Sequence, residues 1–143
     1  GCDGDGCRQS DLTAAAQFVF CPRGRCDLGA RVVSCSWGAS GPGSMDWFAP
    51  ILQVWRAGGL VSVFAGGNEG PACGTISEPA GLDDAMAVGA VNQLRQPCPF
   101  SSRGSDAGKG GTTHVKPDIA APGQAILSAH PSGDYVAMSG TSM

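Results

Sequence analysis

Histidine, tyrosine and clustered positive charge are scarce in this 143-residue chain, which holds 2 His, 1 Tyr and 9 Lys and Arg against 12 Asp and Glu. The net charge of −3 comes without any basic run, so the electrostatic footprint of a nucleic-acid or anionic-membrane binder is missing. No apolar stretch is long enough to cross a bilayer. No internal repeat and no low-complexity linker divides the chain, which points to one domain. Charged residues make up only 15% against 42% hydrophobic, a balance that leans away from disorder, and the length suffices for one modest core. Acidic clusters are lacking too. Asp3 and Asp5 suggest a calcium loop, but the next ligand position holds Cys7 and no Glu closes it. A charged turn is expected there, with no metal and no cofactor.

Glycine and cysteine are plentiful. The 23 glycines suit a fold with many tight strand-to-helix turns. Of the 7 cysteines, Cys2 with Cys7 and Cys21 with Cys26 each close a short polar loop, which reads as two local disulfides in an oxidising compartment. Four thiolates around zinc are the rival reading, disfavoured by the apolar helical segment between the pairs. Cys35 reads as a small buried hydrophobe. Cys73 and Cys98 are left open, paired or free; the odd total leaves at least one thiol over.

Along the chain, residues 10–20 are predicted helical, with Ser10 or Asp11 as cap and Leu12, Ala15, Ala16, Val19 and Phe20 on one face. Residues 30–38 form a short apolar run ending in glycine, the pattern of a buried parallel strand. A helix over 46–57 follows, with Trp47, Ile51, Val54 and Trp55 on its apolar side and Gly58-Gly59 stopping it. Strands are expected over 60–65 and 85–91, and 118–121 approaches a fourth. Strand, helix, strand with glycine turns is the rhythm of an α/β domain with a mostly parallel sheet.

Three short motifs stand out in this order: Ala65-Gly66-Gly67-Asn68-Glu69-Gly70, then Lys116-Pro117-Asp118-Ile119-Ala120-Ala121-Pro122-Gly123, then Ser139-Gly140-Thr141-Ser142-Met143. Together they resemble the subtilases, the subtilisin-like serine peptidases, over nearly the whole chain from about Asp11 to Met143. The resemblance implies a three-layer subtilisin-like α/β fold with a mostly parallel central sheet, incomplete at both ends, so that residues 1–143 form part of one catalytic domain. It also implies a serine endopeptidase acting on polypeptides through a Ser142 acyl-enzyme. Ser142 is the implied nucleophile, placed at a helix start, and Asn68 with the Ser142 N–H forms the implied oxyanion hole. Taken alone, Ser142 would be an ordinary loop serine and Asn68 a turn residue.

The same resemblance assigns Ser36-Trp37-Gly38 to the edge that pairs with an extended substrate, although Trp37 by itself reads equally well as core. Ala65, Gly66 and Gly67 become the other wall of the side-chain pocket. Ser77 lies near its floor with acidic Glu78 beside it, and the expected preference is for a hydrophobic or mixed side chain. The paired-cysteine loops look most like those of secreted, disulfide-bearing subtilases, which implies an extracellular protein; the intact protein is expected to be a monomer.

The scarcity of histidine now matters, because a Ser nucleophile needs a His base and an Asp to orient it. His114 lies in Gly111-Thr112-Thr113-His114-Val115, an echo of the family's catalytic-His motif, but the catalytic position of that motif is occupied by Gly110. His130 reads as a surface residue between strand-like pieces. Asp118 belongs to a segment that is structural in the family. With the chain order Asp, His, Ser, both partners are expected before Gly1. The 143 residues alone are therefore expected to be inactive and poorly folded. The alternative is a subtilase-fold pseudoenzyme that keeps Ser142 and acts as a binding or regulatory module. Two further motifs fail: residues 104–109 leave three residues between glycines where a phosphate-binding loop needs four, and a Gly-x-Ser-x-Gly elbow cannot be completed.

Overall fold

A computed structural model describes residues 6–41, 43–104 and 115–143. Asp3, Asp5 and His114, with residues 105–109 of the phosphate-loop lookalike, lie outside the described residues. The element order is α1 (Gln9–Phe20), β1 (Val32–Cys35), α2 (Ala49–Ala57), β2 (Val61–Ala65), β3 (Met86–Val91), β4 (Ile119–Pro122), β5 (Ile126–Ala129) and β6 (Tyr135–Met138). Strands β1 to β4 form one parallel sheet in sequence order, and β5 and β6 form a separate antiparallel hairpin. The mixed α/β architecture with a parallel central sheet is thus as expected from the glycine-punctuated strand–helix pattern.

Register explains which residues share a face. Val32 lies opposite Val61, Val63 opposite Met86 and Val88 opposite Ile119, so these six point to one side. Cys35 lies opposite Phe64 and Phe64 opposite Ala87, all buried on the other side, where α1 and α2 cover the sheet. The first face carries Val32 at 61% exposure and Ile119 at 52%, unlike a typical parallel sheet, which is covered on both faces.

The covered side is built around Phe48. Its ring meets Trp37, Trp47, Trp55 and Phe64 edge-on at centroid separations of 5.3–6.2 Å, the favoured aromatic geometry. Trp55 Nε1 donates to the Ala16 carbonyl at 3.2 Å, which ties α2 to α1. The most deeply buried stripe of the second helical segment is Phe48, Leu52 and Trp55; of the expected Trp47, Ile51, Val54 and Trp55, Trp55 is buried, Trp47 and Ile51 pack partly buried against the core, and Val54 does not. Two adjacent apolar stripes compete at helical spacing there, and Val54 ends up 54% exposed. Residues 46–48 form a 3₁₀ turn ahead of α2, whose first turn accepts Pro50 because an N–H is unneeded there. Gly59, with φ +78°, ends the helix in the left-handed conformation that glycine adopts freely.

Helix α1 begins after Arg8, with no side-chain cap from Ser10 or Asp11, which both lie inside the first turn. Ala15, expected on the buried face, is exposed. Cys21 and Cys26 form the expected disulfide. Cys2 lies outside the described residues, so that pair is not described. Cys73 and Cys98 are both free, and Cys35 is free and buried. No helix among the described residues is long and apolar enough to cross a membrane.

The second motif is an anchor for β4. Lys116 is buried, and its Nζ donates to the Ala85 carbonyl at 2.7 Å and to Asp118 Oδ2 at 2.8 Å. Asp118 Oδ2 also accepts the Ala87 N–H at 2.7 Å, so one ion pair locks β4 to β3. Partial burial alone would raise the Asp118 carboxyl, but the Lys116 ammonium and the Ala87 N–H outweigh it and hold the carboxyl below its usual range. A carboxyl depressed in the folded state adds stability above the unfolded-state value and loses it as pH falls through the folded-state value. Asp118→Ala, which strands the Lys116 charge, is expected to destabilise the whole protein by about 3 kcal/mol. Urea unfolding across pH checks this: the mutant's deficit should shrink on acidification, and a deficit independent of pH would be the wrong sign of evidence for the ion pair.

Candidate active site

The last residues of the chain reach the site because β4 and the hairpin deliver them there. The Gly140 N–H donates to the Gly123 carbonyl at 2.8 Å, and the Ala125 N–H donates to Ser139 Oγ at 3.0 Å. A Cβ on Gly123 would collide with Ala90 and with the Gly140 carbonyl, so the glycine closing the second motif is what lets the third approach.

From the other side, β2 runs directly into the first motif. The Gly66 N–H donates to the Val88 carbonyl at 2.9 Å, and the Gly66 carbonyl accepts from the Ser77 N–H at 3.0 Å. Gly67 turns with φ +107°, and a Cβ there would fall on the Ser77 hydroxyl, the Glu69 carboxylate and the Ser102 hydroxyl. Only glycine fits.

The first and third motifs then meet at Asn68. Its Oδ1 accepts the Thr141 N–H at 2.9 Å and lies 3.2 Å from Thr141 Oγ1. The Thr141 hydroxyl also receives the Gly67 N–H at 3.1 Å. With the amide oxygen engaged by Thr141, the Asn68 Nδ2 is the end left to donate elsewhere. A Cβ on Gly140 would stand 3.7 Å from Asn68 Nδ2 and 3.8 Å from the Ser142 nitrogen, so glycine keeps clear a space that both donors border. Ser142 itself sits in a turn, with its carbonyl accepting from Ser36 Oγ at 3.3 Å.

Around Ser142 lies a pocket of about 150 Å³, lined by the segments Ser36-Trp37-Gly38, Ala65 with Gly67-Asn68-Glu69, and Thr141-Ser142, together with Ser40 and Ser77. Of the residues expected from the sequence, Gly66 alone is not in the lining; its backbone is used in holding β2 to β3 and to Ser77. Trp37 belongs both to the core and to the pocket lining. Its ring packs edge-on against Phe48 and Phe64 while the residue borders the pocket.

The acid of the pocket is Glu69 rather than Glu78. Glu69 Oε2 accepts from the Asn68 N–H at 2.9 Å, Ser102 Oγ at 3.1 Å and Ser77 Oγ at 3.3 Å. The Glu78 carboxylate instead bonds the loop at residues 43–45. Nothing in the sequence spacing marks this difference, because it depends on Ser77 and Ser102 converging from distant segments. Ser102, wholly buried, is a second residue that sequence reasoning missed.

No histidine or aspartate lines the pocket among the described residues. His130 occupies the β5–β6 turn, exposed, with its Nδ1 3.0 Å from Ser132 Oγ. Cys35, directly before Ser36, is no rival nucleophile: burial pushes its thiol up to about 11, against a smaller opposing contribution from Trp37, so it stays protonated at neutral pH. No group of three or more His, Cys, Asp and Glu suited to a metal occurs among the described residues.

The sequence matches the profile of Peptidase_S8, the Subtilase family, over residues 1–143. It is 30% identical to Bacillopeptidase F of Bacillus subtilis (strain 168), across 97% of this chain and 10% of that protein. It is 36% identical to Subtilisin amylosacchariticus of Bacillus subtilis subsp. amylosacchariticus, across 78% of this chain and 27% of the relative. Among solved structures, "S41 Psychrophilic Protease" superposes with a TM-score of 0.77 at 30% identity, covering 99% of this chain and 47% of that one. The chain thus spans less than half the length of each of these proteins.

Proposed function

This chain belongs to the subtilase family, and from that premise we propose that the whole protein is a serine endopeptidase in which Ser142 is the nucleophile. The observation that supports the reading is the pairing of the Asn68 amide oxygen with Thr141, which leaves Asn68 Nδ2 free of that bond in a pocket that Asn68 and Ser142 both line. Ser142 Oγ attacks the carbonyl of the bound peptide while a base takes its proton. The oxyanion that forms accepts from Asn68 Nδ2 and the Ser142 N–H. Collapse expels the amine and leaves an acyl-enzyme on Ser142, which water hydrolyses. The extended substrate lies along Ser36-Trp37-Gly38, and its side chain before the cleaved bond enters between that segment, Ala65-Gly67 and Ser77.

The base and its orienting acid are assigned to neither His130 nor Asp118. His130 is engaged in its own hairpin turn, and Asp118 holds Lys116. We place both partners outside these 143 residues, which form part of one catalytic domain. The 143 residues alone are then inactive and weakly folded, in keeping with the apolar face left open by Val32, Val61, Met86 and Ile119. The Cys21–Cys26 disulfide supports an extracellular setting, with the protein acting as a monomer.

Glu69 refines the pocket. Its three described donors all engage Oε2, and Glu69 lines the pocket, which favours a long side chain ending in a cation over the hydrophobic or mixed preference expected from sequence. Glu69→Gln is expected to lower kcat/KM for a Lys-containing substrate by about tenfold relative to its Leu counterpart. An unchanged ratio would remove Glu69 from the specificity account. Labelling of Ser142 by a fluorophosphonate tests the peptidase assignment itself.

A further inference from the structure

Glu78 follows the pocket-floor residue Ser77, yet its side chain belongs to the opposite wall. Oε1 accepts the Gly43 N–H at 2.8 Å, and Oε2 accepts the Met45 N–H at 2.6 Å and the Ser44 hydroxyl at 3.3 Å. Its backbone pairs with Ala39 in both directions: Ala39 N–H to the Glu78 carbonyl at 2.8 Å, and Glu78 N–H to the Ala39 carbonyl at 2.9 Å. One residue thereby holds both sides of the segment that carries Ser40, which lines the pocket. Wall and floor also touch directly. A Cβ on Gly38 would stand 2.8 Å from the Glu78 carbonyl oxygen and 3.2 Å from Ser77 Cβ, so glycine at 38 lets the substrate-pairing edge lie flat on the 77–78 backbone.

Resting on the peptidase reading, we propose that Glu78 is a positioning residue for substrate specificity: it fixes the spacing between the Ser36–Ser40 wall and the Ser77 floor, and so the fit of an extended peptide. Glu78 touches no reacting atom. A carboxylate that collects two backbone N–H groups and a hydroxyl is a charge-assisted clamp, and its removal leaves those donors unpaired beside the pocket. The chemistry at Ser142 does not depend on it. Substrates that span several residues of the wall do, whereas a small phosphonylating reagent needs only Ser142 and its oxyanion donors.

The test compares the whole protein with its Glu78→Ala and Glu78→Gln variants; Gln keeps one acceptor oxygen and guards against a loss of folding in Ala. Backbone amide exchange at Gly43 and Met45 is expected to speed up by about tenfold in Glu78→Ala and less in Glu78→Gln. KM for a tetrapeptide p-nitroanilide should rise by about tenfold in the same order, with kcat and the rate of fluorophosphonate labelling within about twofold of wild type. Faster exchange with an unchanged KM would overturn the positioning role, and unchanged exchange would overturn the clamp. A fall in kcat and labelling equal to the rise in KM would overturn it too, since it would signal general damage. A wild-type protein that binds the tetrapeptide without cleaving it would defeat the peptidase reading alone. The peptide Kd then replaces KM, and a value in Glu78→Ala within twofold of wild type would overturn the assignment of Glu78.

Discussion

Ser142→Ala in the whole protein is expected to lower kcat for peptide hydrolysis by about a millionfold, with KM little changed, a magnitude seen on removal of the nucleophile in subtilisin, which belongs to the same family. The size follows from the loss of the covalent route: without the hydroxyl no acyl-enzyme forms, and only the oxyanion donors and substrate binding remain. The substitution is also structurally mild. The described hydrogen bond of Ser142 to the rest of the fold runs through its carbonyl, to Ser36 Oγ, and alanine keeps it. An unfolding midpoint within experimental error of wild type should therefore accompany the loss. Activity that survives Ser142→Ala at more than a hundredth of wild type would place the nucleophile elsewhere.

Asn68→Ala is expected to cost about 10²–10³ in kcat, some 2.7–4 kcal/mol of transition-state stabilisation, again the subtilisin magnitude for one oxyanion donor. Its KM should move little, because the amide interacts with charge that exists only in the transition state. Here the structure adds a complication and its control. Asn68 also receives Thr141, so alanine loosens the 139–142 segment as well as deleting a donor. Thr141→Val removes the hydroxyl and retains the N–H bond, disturbing the same junction without touching Asn68 Nδ2. It should cost about tenfold or less. Equal losses in the two variants would mean that Asn68 acts by holding the segment, and steady-state kinetics on the purified whole protein would show it.

Much of the fold is legible in the sequence. The parallel strands were visible because short apolar runs rich in β-branched residues alternate with helical segments and glycine turns, whereas Ser142 and Asn68 were singled out by the resemblance of their motifs to the subtilases. The two motifs are joined by hydrogen bonds that they themselves supply, between Asn68 and Thr141, 73 residues apart. What stayed illegible depended on choices between near-equal alternatives. The second helical segment was expected to bury Trp47, Ile51, Val54 and Trp55, but Phe48 sits among four aromatic rings and turns Phe48, Leu52 and Trp55 inward, leaving Trp47 and Ile51 partly buried and Val54 exposed. Glu69 and Glu78 are both acidic and both near Ser77 in sequence or space. Only the side-chain partners, Ser102 for one and the 43–45 amides for the other, separate pocket acid from loop clamp. Asp118 was expected to be structural, and it pairs with Lys116, whose burial gave no sign in the sequence.

The central claim is that Ser142 is an activated nucleophile in the whole protein. Reaction of the folded whole protein with a fluorophosphonate, followed by mapping of the modified peptide, tests it most directly. The expected result is a single adduct on Ser142, absent from Ser142→Ala and slowed in Asn68→Ala. A folded protein that takes no label at Ser142 would contradict the account and leave a subtilase fold that binds without cutting.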